Sequence, residues 1–272
     1  MKVGELEFHV VDEGKGPVVL LLHGFPDSSH LWRHQIPALG AAGYRVVAPD
    51  LRGFGKSSRP VGVEHYAMPS LVGDVVGLLD GLGIDRAHVV GHDWGSALAW
   101  TFAGVFPQRV RTLTAISVGH PAVFATLPIE QRERSWYMLL FQFEGVAEEL
   151  LSRNDWALLR ALFRNQGDCD YAIGELSRPG ALTAALSWYR ANVSPAAQLA
   201  KQPPLPPSTV PTMGIWSEGD VFLLEEGMTR SASLVVGAPF RYEKIRSAGH
   251  WVPVDAPEKL NALLLDFLKS SP

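Results

Sequence analysis

The 272 residues carry 24 Lys and Arg against 28 Asp and Glu, a formal net charge of −4, with 47% hydrophobic and 19% charged residues. That length suits one large domain or two modest ones around a buried core, and that balance excludes a disordered chain, a basic nucleic-acid binder and a polybasic membrane anchor. The single cysteine, Cys169, excludes an internal disulfide and a multi-cysteine metal site. In chain order, strands are predicted at 5–11, 18–22 and 45–49, then a helix at 70–82, a strand at 87–91, a helix at 95–106 and a strand at 111–117. Helical patterns without a strand follow at 130–143, 146–151, 156–163 and 181–192. A proline-rich connector at 202–207 cannot continue a helix. Strands return at 212–216 and 240–245, and the helix at 257–269 opens on Pro257, a favoured first helical position. Leu260, Leu263, Leu264 and Phe267 give that helix one apolar face.

Alternating strands and helices predict an α/β fold with a mostly parallel central sheet and helices on both faces. The strandless stretch reads as an inserted helical cap. The expected division is core at 1–119, cap at 120–201 and core again at 202–272. The apolar run at 18–22 is too short to cross a bilayer. The start Met1-Lys2-Val3-Gly4-Glu5 lacks the apolar centre of a secretory signal, so a cytoplasmic protein is expected.

Four segments at strand ends can carry chemistry. Val89-Val90-Gly91-His92-Asp93-Trp94-Gly95-Ser96 has the G-x-nucleophile-x-G pattern of a strand–turn–helix elbow, with aspartate in the nucleophile's place. Taken alone, the pattern favours Asp93 as a cap of the following helix. The preceding apolar strand, the following helix and the other three segments favour the elbow. His23-Gly24-Phe25-Pro26-Asp27 follows the 18–22 strand, where an elbow enzyme keeps a backbone oxyanion donor. Phe25 N–H and Trp94 N–H are the candidates. Ser247-Ala248-Gly249-His250-Trp251 follows the last strand and offers His250 as base, in a context that His9, His34, His65 and His88 lack. In Trp216-Ser217-Glu218-Gly219-Asp220, both Glu218 and Asp220 could orient that imidazole; Asp220 sits better for a loop emerging past its strand. The order Asp93, Asp220, His250 is that of nucleophile, acid and base in α/β-hydrolases.

These motifs, with Trp32-Arg33 and Asp50-Leu51-Arg52-Gly53-Phe54-Gly55-Lys56-Ser57-Ser58, make the chain resemble the α/β-hydrolase superfamily, and within it the soluble epoxide hydrolases, from about residue 5 to 268. The resemblance implies an α/β-hydrolase fold and a cis bond before Pro26. Tyr137-Met138-Leu139-Leu140-Phe141-Gln142 and Trp188-Tyr189-Arg190 resemble the family's two cap tyrosine segments. That makes Tyr137 and Tyr189 the pair that hydrogen-bonds an epoxide oxygen. Phe25, Pro26, Trp94, Phe141, Trp188 and Trp251 are the expected substrate contacts.

The implied reaction needs no metal or organic cofactor. A carboxylate is ionised at neutral pH and attacks saturated carbon without a base; the phenols protonate the departing alkoxide. His250, oriented by Asp220, then activates water against the ester on Asp93. The expected partners are a small apolar epoxide and water, with no nucleic acid or membrane, for a monomer or homodimer. A haloalkane dehalogenase would share Asp93, His250 and Trp94, but it usually adds a further Asn or Trp halide donor; Phe25 has no side-chain donor, and two cap tyrosines suit an oxygen leaving group. A fluoroacetate dehalogenase would have Arg where Trp94 stands, and a serine esterase would need its serine at 93 rather than Ser96. A non-catalytic ligand receptor on the same fold would have lost some of these groups, and all are present.

Overall fold

Val18–Leu22 carries no polar side chain and Ala87–His92 is buried from end to end, the signature of strands covered on both faces. The computed structural model describes residues 1–164, 166–200 and 203–270. Its strands are β1 (Lys2–Val3), β2 (Leu6–Glu7), β3 (Val10–Glu13), β4 (Val18–Leu22), β5 (Arg45–Pro49), β6 (Ala87–His92), β7 (Val110–Ile116), β8 (Thr212–Ser217) and β9 (Phe240–Ile245). The main sheet has seven strands in the order β3-β5-β4-β6-β7-β8-β9. Only the β3–β5 pair is antiparallel; the other neighbours run parallel. β9 forms the far edge and carries Arg241, Glu243 and Lys244.

The helices of the first half are α1 (Gln35–Ala41), α2 (Met68–Gly81) and α3 (Trp94–Val105). Between β7 and β8 come α4 (Pro121–Phe124), α5 (Ile129–Arg134), α6 (Trp136–Leu140), α7 (Val146–Phe163), α8 (Cys169–Leu176), α9 (Ala181–Asn192) and α10 (Pro195–Leu199), with no strand among the described residues. The chain ends with α11 (Glu225–Arg230), α12 (Val252–Asp255) and α13 (Pro257–Lys269). α2 packs on α3, and α1 on α13. The α13 face of Leu260, Leu263, Leu264 and Phe267 is buried, as its spacing predicts. The helical insertion is tied down by polar contacts as well as by its apolar faces. Trp188 Nε1–H of α9 donates to Arg52 O at 2.9 Å, and Asn192 Oδ1 accepts from Met68 N–H at 2.8 Å. Within the insertion, the buried Arg190 of α9 holds Glu148 of α7 by two bonds of 2.8 and 2.9 Å and also donates to Phe141 O.

The strand expected at 5–11 is two pieces. Phe8 N–H closes the β1–β2 hairpin onto Met1 O, and His9 N–H goes to Ser57 Oγ, so pairing with β5 begins only at Val10. The helix expected at 130–143 breaks at Ser135 and ends at Leu140. Ser135 Oγ accepts from Gln131 Nε2, which also donates to Phe222 O, so this turn is anchored outside the helix. The two helices expected at 146–151 and 156–163 are both present within α7, separated by a kink where Arg153 leaves the helical conformation and Asn154, Asp155 and Trp156 take left-handed ones. α1, α4, α8, α10, α11 and α12 have no counterpart in the sequence reading; α1 includes Pro37 and Gly40, both poor helix formers. Of the connector expected at 202–207, Gln202 lies outside the described residues, as does Lys201; residues 203–207 form neither helix nor strand.

Candidate active site

Four parallel strands end on one side of the sheet, and the turn after each delivers one part of the site. β6 runs into α3 through Asp93, whose backbone (φ 54°, ψ −121°) is strained for a residue with a side chain. Two glycines permit the turn. A Cβ at Gly91 would collide with the Gly95 backbone, and one at Gly95 with the carbonyl of Leu22 on β4. Asp93 makes no side-chain capping bond further into α3; of that helix, only the adjacent Trp94 N–H reaches its carboxylate. Its Oδ1 accepts the Phe25 N–H at 2.8 Å, from the turn after β4. Its Oδ2 lies 3.6 Å from His250 Nε2, from the turn after β9. His250 Nδ1 is 2.8 Å from Asp220 Oδ2, after β8. Asp220 is fixed in turn by Phe222 N–H and Leu223 N–H on its Oδ1. Glu218, the other carboxylate the sequence offered, is exposed.

Burial alone would raise the Asp93 carboxyl. His250 and His92 beside it, with the Trp94 N–H, outweigh that and hold it below the ordinary carboxylate range. Burial would likewise lower His250, but Asp220 and Asp93 reverse this and lift it to about 10. Both shifts favour the charged forms, an Asp93 carboxylate beside a His250 imidazolium.

The helical insertion closes the site from above. Tyr137 of α6 and Tyr189 of α9 line one cavity with Asp93 and His250. Burial, with Asp93 adding to it, pushes both phenols well above their usual value, so each is a protonated donor at neutral pH. Their rings stand 6.1 Å apart, and Tyr189 packs edge-on against Phe25 at 5.4 Å. Phe25, Pro26, Phe141 and Trp251 line the same cavity. The bond between Phe25 and Pro26 is cis.

Two expected substrate contacts are corrected. Trp188 is fully buried away from the cavity, its indole N–H spent on Arg52 O and its ring against Phe54 and Trp94. The Trp94 ring packs against Tyr189 at 5.1 Å, where its side chain acts on that phenol, and is also absent from the lining. Leu159, Leu162 and Phe163 of α7, with Phe222, line the cavity without having been singled out in sequence. Asp27, also passed over, is buried with its Oδ2 accepting from Trp251 Nε1 at 3.0 Å; burial chiefly pushes it up to about 7. Other motif residues are structural. His23 Nε2 accepts from Leu51 N–H, Asp50 gathers the Ser29 and Lys56 N–H groups, and Arg52 pairs with Asp74.

No cluster of three His, Cys, Asp or Glu side chains suited to a metal occurs among the described residues. Among these residues no helix is long and apolar enough to cross a membrane.

Comparison with known proteins adds the following. A family model described as the alpha/beta hydrolase fold matches residues 17–257. Epoxide hydrolase 3 of Xenopus tropicalis is 37% identical, the match covering 99% of this chain and 76% of that protein. Epoxide hydrolase A of Mycobacterium tuberculosis is 35% identical over 97% of this chain and 94% of its own. The crystal structure of the Bacillus megaterium epoxide hydrolase in complex with an inhibitor superposes with a TM-score of 0.88 at 28% identity, covering 99% of both chains.

Proposed function

The chain belongs to the epoxide hydrolases of the α/β-hydrolase family, and from that premise we propose that it opens a small apolar epoxide to a vicinal diol through a covalent ester on Asp93. The observation that carries this reading is the division of labour at one carboxylate. Oδ1 is bound by a backbone N–H, while Oδ2 faces His250, in a cavity shared with two phenols. Oδ2 is then the attacking oxygen and Oδ1 the future ester carbonyl.

Attack of Oδ2 on a ring carbon breaks one C–O bond. The alkoxide takes a proton from Tyr137 or Tyr189, and residues 120–201 act as the cap that brings both there. Ester formation removes the negative charge that helped to keep His250 protonated. The imidazolium then sheds a proton, which balances the one given by the phenols, and becomes a base. Water activated by His250 adds to the ester carbon. The oxyanion at Oδ1 is met by Phe25 N–H and Trp94 N–H, and the diol departs with the Asp93 oxygen.

A haloalkane dehalogenase would need N–H donors lining the cavity for a halide. The indole of Trp94 packs on Tyr189 and Trp188 instead, and that of Trp251 is engaged by Asp27. A receptor reading has no use for a carboxylate held ionised beside an imidazolium.

The test is a single turnover in oxygen-18 water with enzyme in excess. The first diol is expected unlabelled, with the heavy oxygen appearing in the peptide containing Asp93. Label in that first diol would mean direct attack by water and would end the covalent reading. Asp93→Asn is expected to lose ester formation by several orders of magnitude.

A further inference from the structure

We propose that Gln166, between α7 and α8 of the insertion, is a positioning residue for the hydrolytic half of the reaction, because its side-chain amide joins the loop that carries the acid to the loop that carries the base. The proposal rests on the mechanism above. Gln166 Oε1 accepts the His250 N–H at 3.0 Å, and its Nε2 donates to Gly219 O, next to Asp220, at 3.1 Å. One planar amide thus holds the backbone of the base and the backbone beside the acid at a fixed separation.

A second observation supports the fit. A Cβ on Gly249 would run into the Gln166 amide carbon and its Oε1, so the glycine before His250 leaves the space that this side chain fills. The neighbouring backbone is fixed on the same loop: Asp255 accepts from Gly167 N–H at 3.1 Å through one oxygen and from Gly249 N–H at 3.2 Å through the other. The core ties the two loops independently, through Gly219 N–H to Ala248 O and Ser217 Oγ to Gly249 O. Gln166 adds a tie from the insertion, the same segment that brings the two phenols.

The consequence is selective. Asp93 is held by the elbow and by Phe25 N–H, neither of which Gln166 touches. His250 must aim a water at the ester carbon while bonded to Asp220, and a buried N–H without its acceptor would let that loop shift. A misplacement of a fraction of an ångström falls on ester hydrolysis and spares ester formation.

Rapid-quench turnover of a styrene-oxide-like epoxide would compare the native chain with Gln166→Met and Gln166→Ala, following the ester on the Asp93 peptide by mass. Met keeps the length without the amide, and Ala removes bulk without creating a clash, so either variant serves if the other does not fold. The ester is expected to form at the native rate and to decay about tenfold more slowly, with kcat and KM falling together. Native decay in either folded variant overturns the proposal, and so does equal slowing of both steps, which is what a merely structural defect would give. Failure of the native chain to form any ester on Asp93 overturns the mechanism instead, and this proposal with it.

Discussion

Two phenols facing a carboxylate can serve as acids only while they keep their protons, and burial beside Asp93 ensures this for Tyr137 and Tyr189. Because both line the cavity, each is expected to supply part of the same stabilisation. Tyr137→Phe or Tyr189→Phe should slow ester formation by about 10²–10³, as for loss of one donor from a two-donor site. The double variant should leave no measurable ring opening, and rapid-quench ester yield checks both. If the double variant forms ester at the native rate, the phenols are only packing residues. These residues were legible in sequence because each sits in a local motif; so were Asp93 and His250. Asp27 was not, although it lies within the His23–Asp27 segment: what makes it unusual is burial against Trp251, some 220 positions away, and no local pattern carries that. Gln166 is silent for the same reason, since its partners come from two other loops.

At the scale of elements, the elbow between β6 and α3 is a tightly constrained turn. The backbone at Asp93 is affordable only because Gly91 and Gly95 let strand, helix and β4 approach so closely. Gly95→Ala is expected to destabilise the protein by about 1–3 kcal/mol or more, seen as a lower denaturant midpoint, and to abolish ester formation by moving Oδ2. An unchanged midpoint would mean that the turn has slack. Elements with an unbroken buried run, such as β4 and β6, or one strong period, such as α13, were readable almost to the residue. Those whose ends depend on distant partners were not. The gap between β2 and β3 is set by Ser57, and the break at Ser135 by an amide anchored to Phe222. The cavity wall of Leu159, Leu162 and Phe163 was equally hidden, because which face of α7 lines the cavity shows only in the folded chain.

For the molecule as a whole, Asp27 makes folding stability depend on pH. Its ordinary value is 3.8, and burial raises it to about 7 in the folded chain. Between those values the folded chain binds a proton that the unfolded chain has released. The contribution of this group to stability therefore falls as pH rises from about 4 to about 7, and its cost is complete above that. Asp27→Asn should flatten this part of the profile and raise stability at pH 8 by on the order of a few kcal/mol, with urea melts at pH 5 and pH 8 as the check. Equal gains at both pH values would mean that the carboxyl is ionised throughout. The far side of the sheet has a different consequence. The edge strand β9 carries half-buried Arg241 and Glu243 and exposed Lys244, with Arg241 paired to Glu243 and Lys244 to Glu225. A neighbouring chain that tried to extend the sheet there would have to strip water from these charges and displace their partners. Self-association by strand addition is thus blocked at this border, and a second copy would have to meet the first through some other surface.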